Sequence, residues 1–181
     1  LETGYLLRIG IDHFKEINDN FGQEYGDFVL KKTAECISGC ISEGQKVYKL
    51  VADEFLILDV SSDEVKDADK IYDKVREAID RFIETNEFKV MYTVSGGTVP
   101  FMALKGNQCS EALKLTDFAL NEAKKLGRNR CYIFNGETYR KFLRKREITQ
   151  ELREAVINGF QGFTAFYQPV FAEDKKVHYG A

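Results

Sequence analysis

The sequence has few of the features that mark membrane, secreted or disulfide-rich proteins. None of its apolar runs approaches the roughly 20 residues needed to cross a bilayer, and no secretory leader or membrane anchor is recognisable. Only two of its 181 residues are proline, whereas 44% are hydrophobic and 30% are charged. This length and composition predict an ordinary cytoplasmic protein with one sizeable core and an appendage, without membrane contact.

The four cysteines and two histidines lack the spacing of a disulfide framework or a zinc site. No C-x-x-C pair or histidine cluster is present, and His13 and His178 are isolated residues to which we assign no catalytic role. We therefore expect buried, reduced thiols of the kind found in cytosolic proteins at Cys36, Cys40, Cys109 and Cys131.

Neither sign of charge predominates in the sequence. The net charge is -3, with acids and bases interspersed, so no broad cationic face for nucleic acid is expected. A small anionic ligand is still compatible with this pattern, because binding it requires only local positive charge. The chain opens at Leu1 inside a segment that looks folded, and we expect a piece of a longer polypeptide.

The hydrophobic periodicity predicts alternating strands and helices in the order β-α-α-β-β-α-β-α-β. Strands are predicted at 5–11, 46–50, 55–59, 88–99 and 131–134, the fourth interrupted by Gly96 and Gly97. Helices are predicted to end near residues 20, 44, 82 and 126, the last stopped by Gly127. This order indicates one mixed sheet with helices packed over it, in the α+β or α/β class.

The character of the chain changes at Gly136. Residues 139–154 are crowded with charged side chains over a loose apolar stripe, which predicts a connecting helix. A strand is predicted at 164–171, before a polar turn at 173–176. We therefore expect a first domain at 1–135, a connecting helix at 136–158 and the incomplete start of a second domain at 159–181.

Several separated motifs resemble those of the GGDEF (diguanylate cyclase) domain family. They are Asp12-His13-Phe14-Lys15-Glu16-Ile17-Asn18-Asp19, Phe21-Gly22, Gly26-Asp27, Leu30, Asp53-Glu54-Phe55 and Ala123-Lys124-Lys125-Leu126-Gly127-Arg128-Asn129-Arg130. The resemblance covers roughly residues 4–135 and is far more specific than any single motif. It implies the palm-like α+β fold of nucleotidyl cyclases, an α/β sandwich with a mixed, largely antiparallel sheet of about five strands flanked by helices.

The tail resembles the start of an EAL domain, the family of cyclic di-GMP phosphodiesterases. The resemblance rests on Glu151-Leu152-Arg153-Glu154-Ala155, Tyr167-Gln168-Pro169 and Gly180-Ala181. It implies a bacterial cyclic di-GMP signalling protein in which an EAL domain of the same chain is the partner of the GGDEF-like domain.

The GGDEF family joins two GTP molecules held by facing domains. The 3'-hydroxyl of each attacks the α-phosphate of the other, and divalent metals held by carboxylates offset the phosphate charge. The resemblance implies that Asp53 and Glu54 are the hairpin acids of that catalytic metal site. Val51 and Ala52, however, replace both hairpin glycines, so we expect strain at a positive φ and lost space for the nucleotide. Solvated acids at a hairpin tip are the simpler alternative.

The first strand departs further from the family pattern D-x-D-x-F-K. Its first aspartate, a metal ligand in the family, is Gly10 here. Loss of one anionic ligand weakens Mg²⁺ binding, so we expect Mg²⁺ with GTP to be weak or absent. Asp12 lies two residues on, and is either a weak substitute ligand or a cap of the following helix.

The residues that contact the nucleotide in the family are retained. Asn18 and Asp27 match the positions that read guanine, and Lys124 and Arg128 match the triphosphate contacts. Each has a structural alternative, namely a turn-forming Asn, a helix-capping Asp and a cation pair that complements a helix dipole. Taken together, the four residues favour retained GTP binding.

We expect no product-inhibition site of the family's R-x-x-D type, because Ser42 and Gln45 stand at its positions. Three functions remain open. The first is a degenerate, cyclase-inactive domain that binds GTP and regulates an attached EAL phosphodiesterase, so that the parent protein hydrolyses cyclic di-GMP. The second is a nucleotide-free module for interaction or homodimerisation. The third, less favoured, is a working diguanylate cyclase that uses Asp12, Asp53 and Glu54.

Overall fold

The computed structural model describes residues 3–62, 64–85, 90–104 and 109–166, and the backbone of 170–171 and 178–179. The chain divides into two units, residues 1–136 and 137–181. The first unit contains a five-stranded sheet with helices on both faces. No helix among the residues that the structure describes is long and apolar enough to span a bilayer.

The predicted order of strands and helices in the first unit is confirmed. In chain order the elements are β1 (Tyr5–Ile11), α1 (Phe14–Phe21), α2 (Gln23–Cys40), β2 (Gln45–Lys49), β3 (Glu54–Asp59), α3 (Lys66–Thr85), β4 (Val94–Pro100), α4 (Cys109–Lys125) and β5 (Cys131–Ile133). A single 3-10 turn, Phe101–Ala103, follows β4.

The strands lie in the order β2-β3-β1-β4-β5. β1 is central and pairs antiparallel with β3 and β4, β2 pairs antiparallel with β3, and β4 pairs parallel with β5. The predicted mixed, largely antiparallel sheet is therefore confirmed. Near the end of β1, Gly10 lies directly opposite Glu54 of β3 on one side and Ser95 of β4 on the other.

Alternate residues of β1 face different helices, because successive side chains of a strand point to opposite faces of the sheet. Leu7 and Ile9 are fully buried in the main core, which also contains apolar residues of α2 and α3. Arg8 and Gly10 face α4, where a Cβ added to Gly10 would lie 3.2 Å from Leu120 Cδ2. Arg8, Gly10 and the residue opposite Gly10, Glu54, therefore share the α4 face of the sheet.

The fourth strand differs from the prediction in two ways. It begins at Val94, and residues 90–93 are not part of the strand. Tyr92 is nevertheless buried. It also runs unbroken through Gly96 and Gly97. A Cβ at Gly97 would lie 2.2 Å from Leu120 N of α4, so this glycine admits a close backbone approach rather than ending the strand.

The second unit contains α5 (Gly136–Ile157) and a short ladder of β6 (Val170–Phe171) and β7 (His178–Tyr179). A helix is present at the position of the predicted connecting helix, and none of its residues is buried. The predicted strand at 164–171 is wrong over 164–166, which have no regular structure. Its central part, 167–169, lies outside the described residues, as do 63, 86–89 and 105–108.

All four cysteines are free thiols, as predicted. The expectation that all are buried is wrong for Cys109, which is exposed at the first turn of α4, while the other three are half-buried. Burial raises the pKa of the Cys131 thiol to about 12, and a contact with Thr98 Oγ1 at 3.3 Å opposes that shift. Cys131 is therefore an unreactive structural thiol.

Candidate functional site

The hairpin between β2 and β3 closes in a β-turn over Val51–Glu54, in which Glu54 N donates to Val51 O at 3.2 Å. Ala52, the second residue of the turn, has a φ of 53°. The strain expected from the missing glycines therefore falls on Ala52, and the expectation for Val51 is wrong because its φ is not positive. Val51 instead places an 81% exposed side chain at the hairpin tip.

Lys49 holds the carbonyl groups of this turn. Its Nζ donates to Leu50 O at 3.2 Å, to Glu54 O at 3.4 Å and to Ala52 O, and lies 5.0 Å from the centre of the Phe55 ring. Burial lowers the pKa of the Lys49 ammonium, and the charges of Asp53 and Glu54 oppose that shift. The exposed Lys49 ammonium therefore contacts three carbonyl groups of the turn.

Gly10, Glu54 and Lys124 meet on the α4 face of the sheet. Gly10 lies opposite Glu54 in the antiparallel ladder, so residues at these positions project to the same face. A Cβ built on Gly10 would lie 3.2 Å from Lys124 Nζ. The ammonium of Lys124 therefore occupies the space next to the position at which the family has its first metal-binding aspartate.

Arg8 forms an ion pair with Glu54 that the sequence motifs did not reveal. Its Nε donates to Glu54 Oε2 at 2.8 Å, and its Nη2 donates to the same oxygen. Nη1 donates to Leu113 O of α4 at 3.2 Å, and Nη2 lies 3.4 Å from Asp117 Oδ1. The side chains of Arg8 and Glu54 are only 14% and 17% exposed. A lone arginine within the otherwise apolar strand YLLRIGI is the sequence signal that could have indicated such a buried pair.

One of the two alternatives for Asp12, that it caps α1, is wrong. The residue before α1 is His13, which has a φ of 56° and makes no side-chain capping bond. The Asp12 carboxylate accepts bonds from Thr93 Oγ1 and Ser95 Oγ, both at 2.7 Å, and from Asn129 N at 3.2 Å. It is 3% exposed and joins the end of β1 to β4 and to the loop after α4.

Asn18 and Asp27 lie on neighbouring helices. Asn18 is half-buried within α1, and Asp27 is exposed in the second turn of α2, so neither the turn nor the capping alternative describes them. A Cβ at Gly26 would lie 1.9 Å from Asn18 Oδ1. Gly26 therefore allows the Asn18 amide to lie against the backbone of α2, immediately before Asp27.

Lys124 and Arg128 flank the C-terminal end of α4. Lys124 is half-buried in the last turn, whereas Arg128 is exposed beyond the helix, with a φ of 61°. The end is closed by a bond from Arg128 N to Ala123 O at 3.2 Å, and Gly127 has a φ of 113°, as expected for a glycine that ends a helix. The predicted stop at Gly127 is confirmed.

Ser42 and Gln45 contact each other in the turn before β2. Ser42 N donates to Gln45 Oε1 at 2.8 Å, and Gln45 Nε2 donates to Asp59 Oδ2 at 2.6 Å. Neither side chain is ionisable, so positions 42 and 45 do not supply the arginine and carboxylate of an R-x-x-D site.

The side chains near the hairpin offer few ligands for a divalent metal ion. No three His, Cys, Asp or Glu side chains converge in the described ranges. Gly10 offers no side-chain ligand, Glu54 is engaged by Arg8, and both oxygens of Asp12 already accept hydrogen bonds. Mg²⁺ is usually held by one or two carboxylates besides phosphate and water. Among the three candidate acids in the described part of the chain, Asp12, Asp53 and Glu54, Asp53 is the one whose carboxylate makes no hydrogen bond or ion pair.

Comparisons with known proteins agree with this architecture. The family model "Diguanylate cyclase, GGDEF domain" matches residues 2–130. The cyclic di-GMP phosphodiesterase NbdA of Pseudomonas aeruginosa is 30% identical over 175 residues, covering 96% of this chain and 22% of NbdA. The probable diguanylate cyclase DgcT of Escherichia coli is 32% identical over 140 residues, covering 73% of this chain and 30% of DgcT. The chain thus spans less than a third of either relative.

Two solved structures share the fold. The GGDEF domain of TpbB (YfiN) from Pseudomonas aeruginosa has a TM-score of 0.69 at 27% identity, covering 78% of this chain and 83% of that one. The active GGEEF domain of a Vibrio cholerae diguanylate cyclase has a TM-score of 0.63 at 29% identity, covering 74% and 84%. The chain therefore belongs to the GGDEF (diguanylate cyclase) domain family of bacterial cyclic di-GMP signalling.

Proposed function

We propose that this domain binds GTP, does not make cyclic di-GMP, and regulates an EAL phosphodiesterase domain of the same cytoplasmic protein. One observation carries the proposal: the backbone of Gly10 lies opposite Glu54, with the Lys124 ammonium beside it. A cation suited to phosphate is retained there, while the acid that would hold a metal is missing.

Guanine binding is supported by the helix pair α1–α2. Asn18 offers an amide with both donor and acceptor atoms, and Asp27 offers an exposed carboxylate nearby. The guanine edge has two N–H donors next to a carbonyl acceptor, which these groups complement. Lys124 and Arg128 would then contact phosphate oxygens.

Loss of the cyclase reaction follows from the hairpin and β1. The reaction needs carboxylate-held metal ions to offset the charge that develops on the attacked phosphate. The proposed vestigial catalytic acids are Asp53 and Glu54, but Glu54 is paired with Arg8 and position 10 has no carboxylate. Ala52 and Val51 also place side chains where the family has glycines.

Regulation of an EAL domain is supported by the share of this chain that the similarity to NbdA covers. It covers 96% of this chain, whereas the GGDEF family model ends at residue 130. The similarity therefore continues through α5, and NbdA is a cyclic di-GMP phosphodiesterase. We propose that α5 connects the nucleotide-binding domain to such an enzyme and passes the effect of GTP to it.

Thermal denaturation with GTP and Mg²⁺, followed by chromatography of the nucleotides, tests this proposal. At about a hundredfold excess over Kd, GTP should stabilise the domain by about 2.7 kcal/mol, and no cyclic di-GMP should form. Asn18→Ala should remove the stabilisation. Asn20→Ala is the matched control, because Asn20 is exposed on the same helix, and it should retain the stabilisation.

Two outcomes would contradict the proposal. Cyclic di-GMP that forms in the unaltered domain and disappears in Asp53→Ala would identify a working cyclase. Absence of any stabilisation at millimolar GTP would identify a nucleotide-free interaction module.

A further inference from the structure

Arg8 places a positive charge beside Glu54, the acid that would otherwise hold a metal. Arg8 donates twice to Glu54 Oε2, and both side chains are more than four-fifths buried. We propose that the Arg8 guanidinium takes the place of the divalent cation at Glu54, so that the domain binds the nucleotide triphosphate without Mg²⁺. This inference rests on the proposed GTP binding and specifies its chemistry.

The position of Arg8 follows from the register of the sheet. Arg8 and Gly10 project to the same face of β1, and Glu54 is directly opposite Gly10. Arg8 is therefore the diagonal cross-strand neighbour of Glu54, a separation that a long side chain can span. Because position 10 has no side chain, nothing from β1 stands between the guanidinium and the carboxylate.

Helix α4 holds the guanidinium in this orientation. Leu113 O accepts from Nη1, and the Asp117 carboxylate lies 3.4 Å from Nη2. The guanidinium belongs to the chain itself, so its charge does not depend on metal concentration. The cation is thus part of the fold rather than a bound ion.

The charges on the α4 face then suit a triphosphate without metal. Arg8 offsets the charge of Glu54, and the second acid beside the guanidinium, Asp117, is 52% exposed to solvent. Lys124 Nζ adds a positive charge next to Gly10. In the family, metal ions reduce the repulsion between carboxylates and phosphates. In this chain a fixed cation does so at Glu54, while Asp12, the residue after β1, accepts hydrogen bonds from Thr93 and Ser95.

The test compares GTP affinity in EDTA and in Mg²⁺ by isothermal titration calorimetry. The unaltered domain should bind GTP with the same Kd, within about twofold, in both buffers. Arg8→Gln should weaken metal-free binding about tenfold, because an uncompensated Glu54 repels the phosphates, and Mg²⁺ should restore much of the loss.

Three further variants separate this role from simple packing. Arg8→Lys keeps the charge and should keep binding independent of Mg²⁺. Arg8→Gln with Glu54→Gln removes both charges and should also abolish the Mg²⁺ dependence. Lys70→Gln is the matched control, because Lys70 forms an exposed ion pair with Asp67 on α3, and it should leave both Kd values unchanged.

Electron paramagnetic resonance of Mn²⁺ gives a readout that does not depend on nucleotide. Millimolar Mn²⁺ should stay free with the unaltered domain and become partly bound with Arg8→Gln, since Asp53 and Glu54 are then both available. GTP binding that requires Mg²⁺ in the unaltered domain would overturn this inference and leave the proposed function intact. Binding in neither buffer would overturn both.

Discussion

The contact between Gly97 and α4 makes the sharpest prediction about stability. A Cβ at position 97 would lie 2.2 Å from Leu120 N, 2.6 Å from Ala119 C and 2.8 Å from Leu120 Cα. All three are backbone atoms within a helix, so no flexible side chain can move aside. Gly97→Ala therefore forces α4 away from the sheet by about 1 Å.

The loss in the free energy of unfolding caused by Gly97→Ala can be worked out from these contacts. Overpacking of a well-packed core costs typically 1–3 kcal/mol, and rigid backbone contacts place this change at about 3 kcal/mol. For a chain of this size the melting temperature should fall by about 6–12 °C. Because Lys124 lies on the same helix, the displacement should also weaken GTP binding.

The assay is thermal and urea denaturation followed by circular dichroism, with Gly39→Ala as the matched control. Gly39 is exposed in the last turn of α2, and a Cβ there meets nothing within 4 Å. That substitution should stabilise the chain by about 0.5 kcal/mol, because alanine favours the helix. Equal melting temperatures for the two variants would refute the close approach of α4 to β4.

Two smaller predictions concern the hairpin and β3. Ala52→Gly should stabilise the chain by about 0.5–1 kcal/mol in urea denaturation, since it relieves a left-handed residue at a φ of 53°; a loss of stability would contradict this. Burial alone would raise the pKa of Asp59, but bonds from Gln45 and Ser61 hold it below its ordinary value. Its contribution should be complete above about pH 4 and disappear as the pH falls through the folded pKa. Asp59→Asn should cost about 1–3 kcal/mol at neutral pH and flatten that acid dependence, and an unchanged pH profile would contradict the assignment.

The sequence predicted the fold better than the contacts of the site. Periodicity predicted the order of elements where an element buries one continuous stripe, as α3 does with Ala68, Ile71, Val75 and Ile79. It failed at Tyr92, whose ring is buried outside any strand and whose hydroxyl lies 3.0 Å from Thr33 Oγ1 of α2. It also failed at Gly97, where a glycine that resembles a strand break instead admits a helix backbone.

The family motifs identified candidate positions but not their partners. Asp12 is bonded to groups 81 and 117 residues away in the chain, so no local pattern distinguishes it from a helix cap. Arg8 meets Glu54 from 46 residues away and belongs to no motif. Such contacts depend on strand register, which the sequence alone did not provide.

The central claim is that this domain keeps a site for GTP but has lost the chemistry that converts it. Equilibrium dialysis of radiolabelled GTP against the domain in Mg²⁺, followed by chromatography of the bound nucleotide, tests this most directly. We predict that GTP is retained by the domain and recovered unchanged. Recovery of the label as cyclic di-GMP, or no retention of GTP, would contradict the claim.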